Sequence, residues 1–201
     1  MTVKITNFSQ PFILFNEWLK AAKSNPHIKE PTAMALATVD DENRPSVRMI
    51  LLKKFDESGF CFFTNLTSRK ARDLIVNPNV SLCFYWMQLG YQVRIEGKVE
   101  KVSIKEADAY FTSRRRGSQI GAWASKQSQE MVSEEEFEKR IEQITEDFKD
   151  QVVPRPPFWS GFRVIPDTIE FWEEGEYRLH TRTLYSKLED DKGWKVINLY
   201  P

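Results

Sequence analysis

The first periodic signal in the chain is helical. Phe12, Phe15, Trp18, Leu19 and Ala22 recur at three- and four-residue spacings, which predicts an amphipathic helix that Ser24-Asn25-Pro26 ends. From there the period shortens to two. The segments AMALATV (33–39), SVRMILLK (46–53) and GFCFFT (59–64) read as strands, with DDENRP and KFDES between them as polar turn material. A short helix is predicted over 68–76, stopping before Asn77-Pro78. Two strands follow over 80–86 and 91–102, the second carrying a mid-strand Gly97 that marks a bulge or bend. Ser103 with Glu106 and Ser133 with Glu136 both match the S-x-x-E capping box, so helices should begin near 103 and 133. In the second of these, Phe137, Ile141, Ile144 and Phe148 form one apolar stripe against a Glu- and Lys-rich solvated face. VVPRPPFW (152–159) breaks the chain, and GFRVIP, TIEFWE, YRLHTRTLY and WKVINLY then read as closing strands.

Many short strands with few helices predict a mainly β, α+β fold: a closed antiparallel barrel with helical insertions. The 201 residues are read as a single domain, with 1–30 forming an arm and first helix and 152–201 completing the barrel. Fourteen Phe, six Tyr and six Trp supply bulky packing material to a chain that is 41% hydrophobic. Lys plus Arg (29) balance Asp plus Glu (29), so no global field draws nucleic acid or an anionic membrane, and any anion site must be local. Cys61 and Cys83 both lie in apolar strand-like runs and read as reduced thiols. PFILF is too short to span a bilayer, and a soluble cytoplasmic protein is expected.

Cationic and polar residues collect in four places. In TNLTSRKARDL, Thr67 or Ser68 can cap a helix whose first turn holds Arg69 and Lys70. Cations there oppose the helix dipole unless an anion such as phosphate binds among the free N–H groups. Side chains reaching into water are the equally good alternative. In ADAYFTSRRRGSQIGAWASKQS, Tyr110, Arg114 and Ser118 are four apart, and a helix continuing through Gly117 would make them one donor face suited to a phosphate monoester. A charged helix end, or a nucleic-acid contact through the arginine run, competes with that reading. In RPSVRMILLKK, Arg48 and Lys53 are an odd number apart, so a regular strand sends them to opposite faces. In EGEYRLHTRTLY, an extended strand would project Arg178, His180 and Arg182 together and turn Leu179 the other way. That alternation fits a solvated outer strand face as well as a docking site. His27 sits in a loop without a partner group. Dinucleotide, Walker, H-E-x-x-H and C-x-x-C signatures are absent, which argues against metal catalysis and Rossmann-type nicotinamide binding.

Four motifs in order, RMILLK, FFTNLTSRKA, SQIGAWASKQS and EFWEEGEYRLHTR, resemble the pyridoxamine 5′-phosphate oxidase family from about residue 30 to the C-terminus. The resemblance implies an antiparallel Greek-key split β-barrel that binds FMN between the subunits of a homodimer. It implies oxidation of pyridoxine or pyridoxamine 5′-phosphate at C4′ to pyridoxal 5′-phosphate, with oxygen consumed and hydrogen peroxide formed. Positions matching the family's FMN contacts are Arg48, Met49, Ile50, Leu51, Leu52, Lys53, Phe63, Thr64, Arg69, Lys70, Gln92, Gln127, Ser128, Trp172 and Arg182. Positions matching its substrate contacts are Lys53, Tyr110, Arg114 and Ser118 around the phosphate, with Arg178, Leu179 and His180 toward the pyridine ring. Within that resemblance Arg178 and His180 would be the catalytic pair. None of MTVKITNFSQ matches the longer substrate-covering arm common in relatives. Two other readings compete: a related flavin oxidase acting on another ring, such as a phenazine precursor, and a non-catalytic FMN-binding protein.

Overall fold

A computed structural model of the chain describes residues 3–5, 8–189 and 193–201; residues 1, 2, 6 and 7 of the N-terminal arm lie outside them. In chain order the elements are β1 (Val3–Ile5), α1 (Gln10–Ser24), β2 (Ala33–Val39), β3 (Pro45–Leu51), β4 (Lys54–Asp56), β5 (Gly59–Asn65), α2 (Arg69–Val76) and β6 (Asn79–Trp86). They continue as β7 (Tyr91–Lys101), α3 (Ile104–Ser113), α4 (Arg116–Ala124), α5 (Glu134–Asp147), β8 (Trp159–Glu173), β9 (Thr181–Lys187) and β10 (Trp194–Leu199). Short 3₁₀ turns follow β6 and β8.

All strand pairs are antiparallel, and the order along the sheet is β1-β10-β9-β8-β7-β6-β2-β3, with β4 on β5 and β5 on β8. Strand β8 does the curling. Its first half pairs with β5 (Phe62↔Phe162) and its second half with β9 (Ile169↔Tyr185), while β7 runs along the other edge throughout. The change of partner falls beside Pro166, where the β7 register shifts between Glu96 and Gly97. This is the bulge that Gly97 predicts, and it bends the sheet around its own core. Helix α1 fills the concave side: the Phe15 ring stands edge-on to Phe60 at 5.0 Å and to Phe84 at 5.1 Å, and Trp18 stacks on Tyr91 at 4.1 Å. Buried aromatic pairs of this kind contribute about 0.5–1.5 kcal/mol each beyond their area.

Two short strands were not foreseen. KFDES holds β4 because Asp56 Oδ1 accepts the Ser58 N–H and tightens the turn into β5. Val3–Ile5 forms β1 on the free edge of β10. Ser103 and Glu106 make the complete reciprocal cap, and Ser133 accepts the Glu136 N–H at the start of α5. Cys61 is buried, which pushes its thiol up to about 11; Cys83 is half-buried, and both are free. No helix among the described residues is long and apolar enough to cross a membrane.

The two faces of the sheet differ. Leu36, Leu82, Ile95 and Ile169 line up across β2, β6, β7 and β8 on the covered face, and all are buried. The opposite face carries the row Met49, Ala35, Cys83, Arg94 and Glu170. On that side Val47, Met49 and Tyr85 are 68%, 66% and 57% exposed, so the chain leaves an apolar sheet face open.

Candidate active site

On β5 the Phe63 ring lies over Gly161 of β8, where a Cβ would come within 2.6 Å of it; only glycine lets that ring lie flat there. Phe63 stacks on Tyr110 at 4.0 Å and on Trp159 at 5.4 Å, making an aromatic wall. The guanidinium of Arg114 sits 4.9 Å from the Trp159 ring centre, an attraction that is stronger out of water. A cavity of about 340 Å³ opens against this wall, lined among others by Lys53, Thr64, Tyr110, Arg114, Ser118 and Gln127.

These donors converge by a route other than the predicted one. Helix α3 ends at Ser113, and Arg114 and Arg115 are both extended, so Tyr110, Arg114 and Ser118 do not share a continuous helix face. Buried Gln119 donates to the carbonyls of Phe111 and Thr112 and closes the end of α3, which lets the chain turn into α4. The arginine run is divided by this turn: Arg114 enters the cavity, whereas Arg116 holds the carbonyls of Phe148 and Gln151 beside α5. Lys53 reaches the same cavity because β3 ends at Leu51, which frees it from the strand alternation that separated it from Arg48.

The cavity is short of negative charge. Arg114 Nη1 is a buried nitrogen without a hydrogen-bond partner. Burial lowers the Arg114 pKa, partly offset by Tyr110, and burial raises that of Tyr110, partly offset by Arg114. An unpaired buried donor on a cation costs free energy unless an acceptor arrives.

Beside the cavity stands a second cationic group. Ser68 starts α2 in an extended conformation but its side chain does not cap the helix, leaving first-turn N–H groups next to Arg69 and Lys70. Lys70 Nζ donates to Thr64 Oγ1 (3.2 Å), Ser68 Oγ (3.4 Å) and Gln127 Oε1 (3.1 Å), all neutral acceptors. Its pKa is lowered by burial and then by Arg48. Arg48 bonds Thr38 Oγ1 at 2.7 Å and pairs with Asp73 at 3.6 Å; its own pKa is lowered by burial and by Arg69, with Asp73 opposing. Arg48 is paired with Asp73, whereas Lys70 meets only neutral acceptors. This arrangement fits a terminal phosphate such as that of FMN, which would restore charge balance and use the helix N–H groups.

The neighbouring motif positions divide by parity. Ile50 and Leu52 pack in or against the core, whereas Met49 and Leu51 lie on the opposite face from Arg48. Ser128 is exposed at φ 69 and is not part of the cavity wall.

The remaining predicted positions are elsewhere. Gln92, Trp172 and Arg182 pair in one row across β7, β8 and β9, on the open face of the sheet. Arg182 is held by Glu170 Oε1 (2.8 Å) and the Tyr200 carbonyl (3.0 Å). Arg178 and Leu179 correct the strand reading. Residues 174–180 form the loop joining β8 to β9, with a 3₁₀ turn over Glu176–Arg178, so Arg178 does not alternate with Arg182. Tyr177 and Arg178 take φ 54 and 65, a left-handed conformation that costs a side chain about 1–2 kcal/mol each. Arg178 is exposed, and Leu179 is 70% exposed, not turned into the core. His180 lies with its ring 4.5 Å from that of Trp172.

Sequence reasoning missed Trp159, Asp73 and Glu170. Asp73 is four residues beyond Arg69 on α2, and Glu170 is two before Trp172 on the same strand face; that spacing was the available signal. Among the described residues no group of three or more His, Cys, Asp or Glu is placed to hold a metal ion.

Residues 21–147 match the family model described as pyridoxamine 5′-phosphate oxidase, and residues 159–201 match that of the pyridoxine 5′-phosphate oxidase C-terminal dimerisation region. A pyridoxine/pyridoxamine 5′-phosphate oxidase of Myxococcus xanthus (strain DK1622) is 52% identical, with 95% of this chain and 91% of the relative covered. One of Gluconobacter oxydans (strain 621H) is also 52% identical, covering 96% and 95%. Among solved structures, PhzG from Burkholderia lata 383 in complex with tetrahydrophenazine-1-carboxylic acid superposes with a TM-score of 0.89 at 32% identity, covering 95% of this chain and 92% of that one. On sequence and on fold, the chain belongs to the pyridoxamine 5′-phosphate oxidase family.

Proposed function

We propose that the protein is an FMN-dependent oxidase that converts pyridoxine 5′-phosphate or pyridoxamine 5′-phosphate to pyridoxal 5′-phosphate. The alcohol gives one hydrogen peroxide per oxygen consumed; the amine also consumes water and releases ammonia. The observation that carries this reading is the unpaired, buried Arg114 Nη1 in a cavity shared with Lys53, Tyr110 and Ser118. Together they offer a phosphate monoester more donors than a carboxylate has oxygens, and charge-assisted contacts of this type contribute about 1.5–3 kcal/mol.

Arg69, Lys70 and the α2 N–H groups would hold the FMN phosphate, with Thr64 and Gln127 orienting the Lys70 ammonium. Bound FMN would supply the two-electron redox chemistry. Arg178 and His180 would orient the substrate ring, the first as a cation at an exposed loop tip, the second as an imidazole packed against Trp172.

Arg48 and the row Gln92, Trp172 and Arg182 lie on opposite faces of one sheet. One chain therefore does not bring them around one flavin. A homodimer that buries the open face of Val47, Met49 and Tyr85 would set one subunit's cavity against its partner's Trp172 strip. The two free thiols fit a cytoplasmic setting.

The relative whose structure holds tetrahydrophenazine-1-carboxylic acid supplies the second reading, an oxidase of an unphosphorylated ring acid. Hydrogen peroxide release by the FMN-loaded protein decides. Turnover of pyridoxine 5′-phosphate, with little from pyridoxine, is expected; release from tetrahydrophenazine-1-carboxylic acid and not from the phosphate would select the alternative. No release from either would select a non-catalytic flavoprotein.

A further inference from the structure

We infer that the backbone N–H of Gly175 fixes His180 as its Nε2–H tautomer, so that this imidazole meets the substrate as a hydrogen-bond donor and not as a base. Gly175 N donates to His180 Nδ1 at 3.2 Å. A backbone N–H has only a proton to give, so Nδ1 must present its lone pair, and in the neutral ring the proton then resides on Nε2. The ring is held on a second side by Trp172, 4.5 Å between centres. Among the described residues no hydrogen bond to Nε2 is formed, which leaves that donor for a ligand.

The loop is built for this contact. A Cβ on Gly175 would come within 2.1 Å of the Leu179 carbonyl oxygen, so no larger residue allows position 175 to close on 180. The loop base is pinned by the Glu174 N–H on the Gly90 carbonyl (2.8 Å), and the Leu179 N–H bonds the Glu176 carbonyl (2.9 Å). The left-handed Tyr177 and Arg178 lie between these fastenings, so the backbone strain is spent where His180 is aimed. Gly175 is thus a positioning residue acting through His180.

The inference rests on the proposed function only for the identity of the acceptor, the ring hydroxyl oxygen of the B6 substrate. A fixed Nε2–H donor stabilises that oxygen as the anion; an Nε2 lone pair would instead remove its proton.

The chain has two histidines, so the tautomer is directly readable. In FMN-loaded protein labelled with ¹⁵N in the imidazole, a long-range proton–nitrogen correlation near neutral pH should show His180 with unprotonated Nδ1 and protonated Nε2. His27→Gln, at an exposed loop position, assigns the remaining signals. Gly175→Ala should turn that single pattern into an exchanging mixture with flavin retained. In turnover, His180→Gln, which keeps an amide donor near the Nε2 position, should retain at least about fivefold more kcat/KM than His180→Ala. An Nδ1–H tautomer or a mixture in the unsubstituted protein would overturn the inference, as would equal losses in the Gln and Ala variants. Because the tautomer is read without substrate, failure of the proposed oxidase activity leaves that result standing and is recognised separately.

Discussion

The cavity under Phe63 and the strip around Trp172 are both rich in cations and aromatics, yet they are built in opposite ways. In and beside the cavity, rings stack on one another, Lys70 is held by three neutral acceptors, and half-buried Arg114 has its buried Nη1 unpaired. On the strip, Arg182 is already neutralised by Glu170, Arg178 projects from a loop tip, and Leu179 touches little. The first region is preorganised for anions inside one chain. The second presents side chains to whatever covers the open sheet face. Anion affinity should therefore be lost through substitutions in the first region, and orientation of a bound ring through substitutions in the second.

The largest effect expected is on flavin retention. Replacing Arg69 and Lys70 together with Ala removes two charge-assisted contacts, about 3–6 kcal/mol if they add, so the FMN dissociation constant should rise about 150- to 25,000-fold. Fluorescence titration of the apoprotein measures it; unchanged affinity would detach the α2 start from the flavin phosphate. Next comes Arg114→Ala, expected to weaken pyridoxine 5′-phosphate by about 1.5–3 kcal/mol and to leave the poor binding of pyridoxine nearly as it was. Equal losses with and without the phosphate would show that the cavity reads something else.

Arg178→Ala should keep its yellow colour and lose about tenfold or more in kcat/KM, part of it in kcat, since exposed Arg178 holds no structure together. A colourless variant would place Arg178 with the cofactor and blur the distinction between the regions. Leu179→Ala should change least, within about 0.5 kcal/mol of the parent stability by denaturant titration, because its side chain is 70% exposed.

Much of this was legible in the sequence, for identifiable reasons. Strands such as 33–39 and helices such as α1 announce themselves because one side of each is buried, and burial imposes its period. The capping serines were readable because the bond is local. The misreadings came where local pattern and tertiary structure parted. Arg178, His180 and Arg182 alternate like a strand, but the close approach at Gly175 forces a loop there. Tyr110, Arg114 and Ser118 are spaced like a helix face, but Gln119 ends α3 between them. Their cavity forms because the break turns Arg114 inward. Phe63 and Trp159 are nearly a hundred residues apart, and nothing local announces that they stack. The open sheet face was hidden for another reason: alternation tells which side a residue takes, not which side a second subunit covers.

The central claim is that the two regions form one site only across two subunits. Subunit complementation tests it most directly. Lys70→Ala with Arg114→Ala disables the cavity of one chain, and Arg178→Ala with His180→Ala disables the strip of another; each homodimer should be nearly inactive. After unfolding and co-refolding of the two at equal amounts with FMN, random pairing makes half the dimers mixed, each with one intact site, and about a quarter of the parent activity should return. Activity that stays at the level of the separate variants would mean that cavity and strip serve the same site within one chain, and would contradict the account.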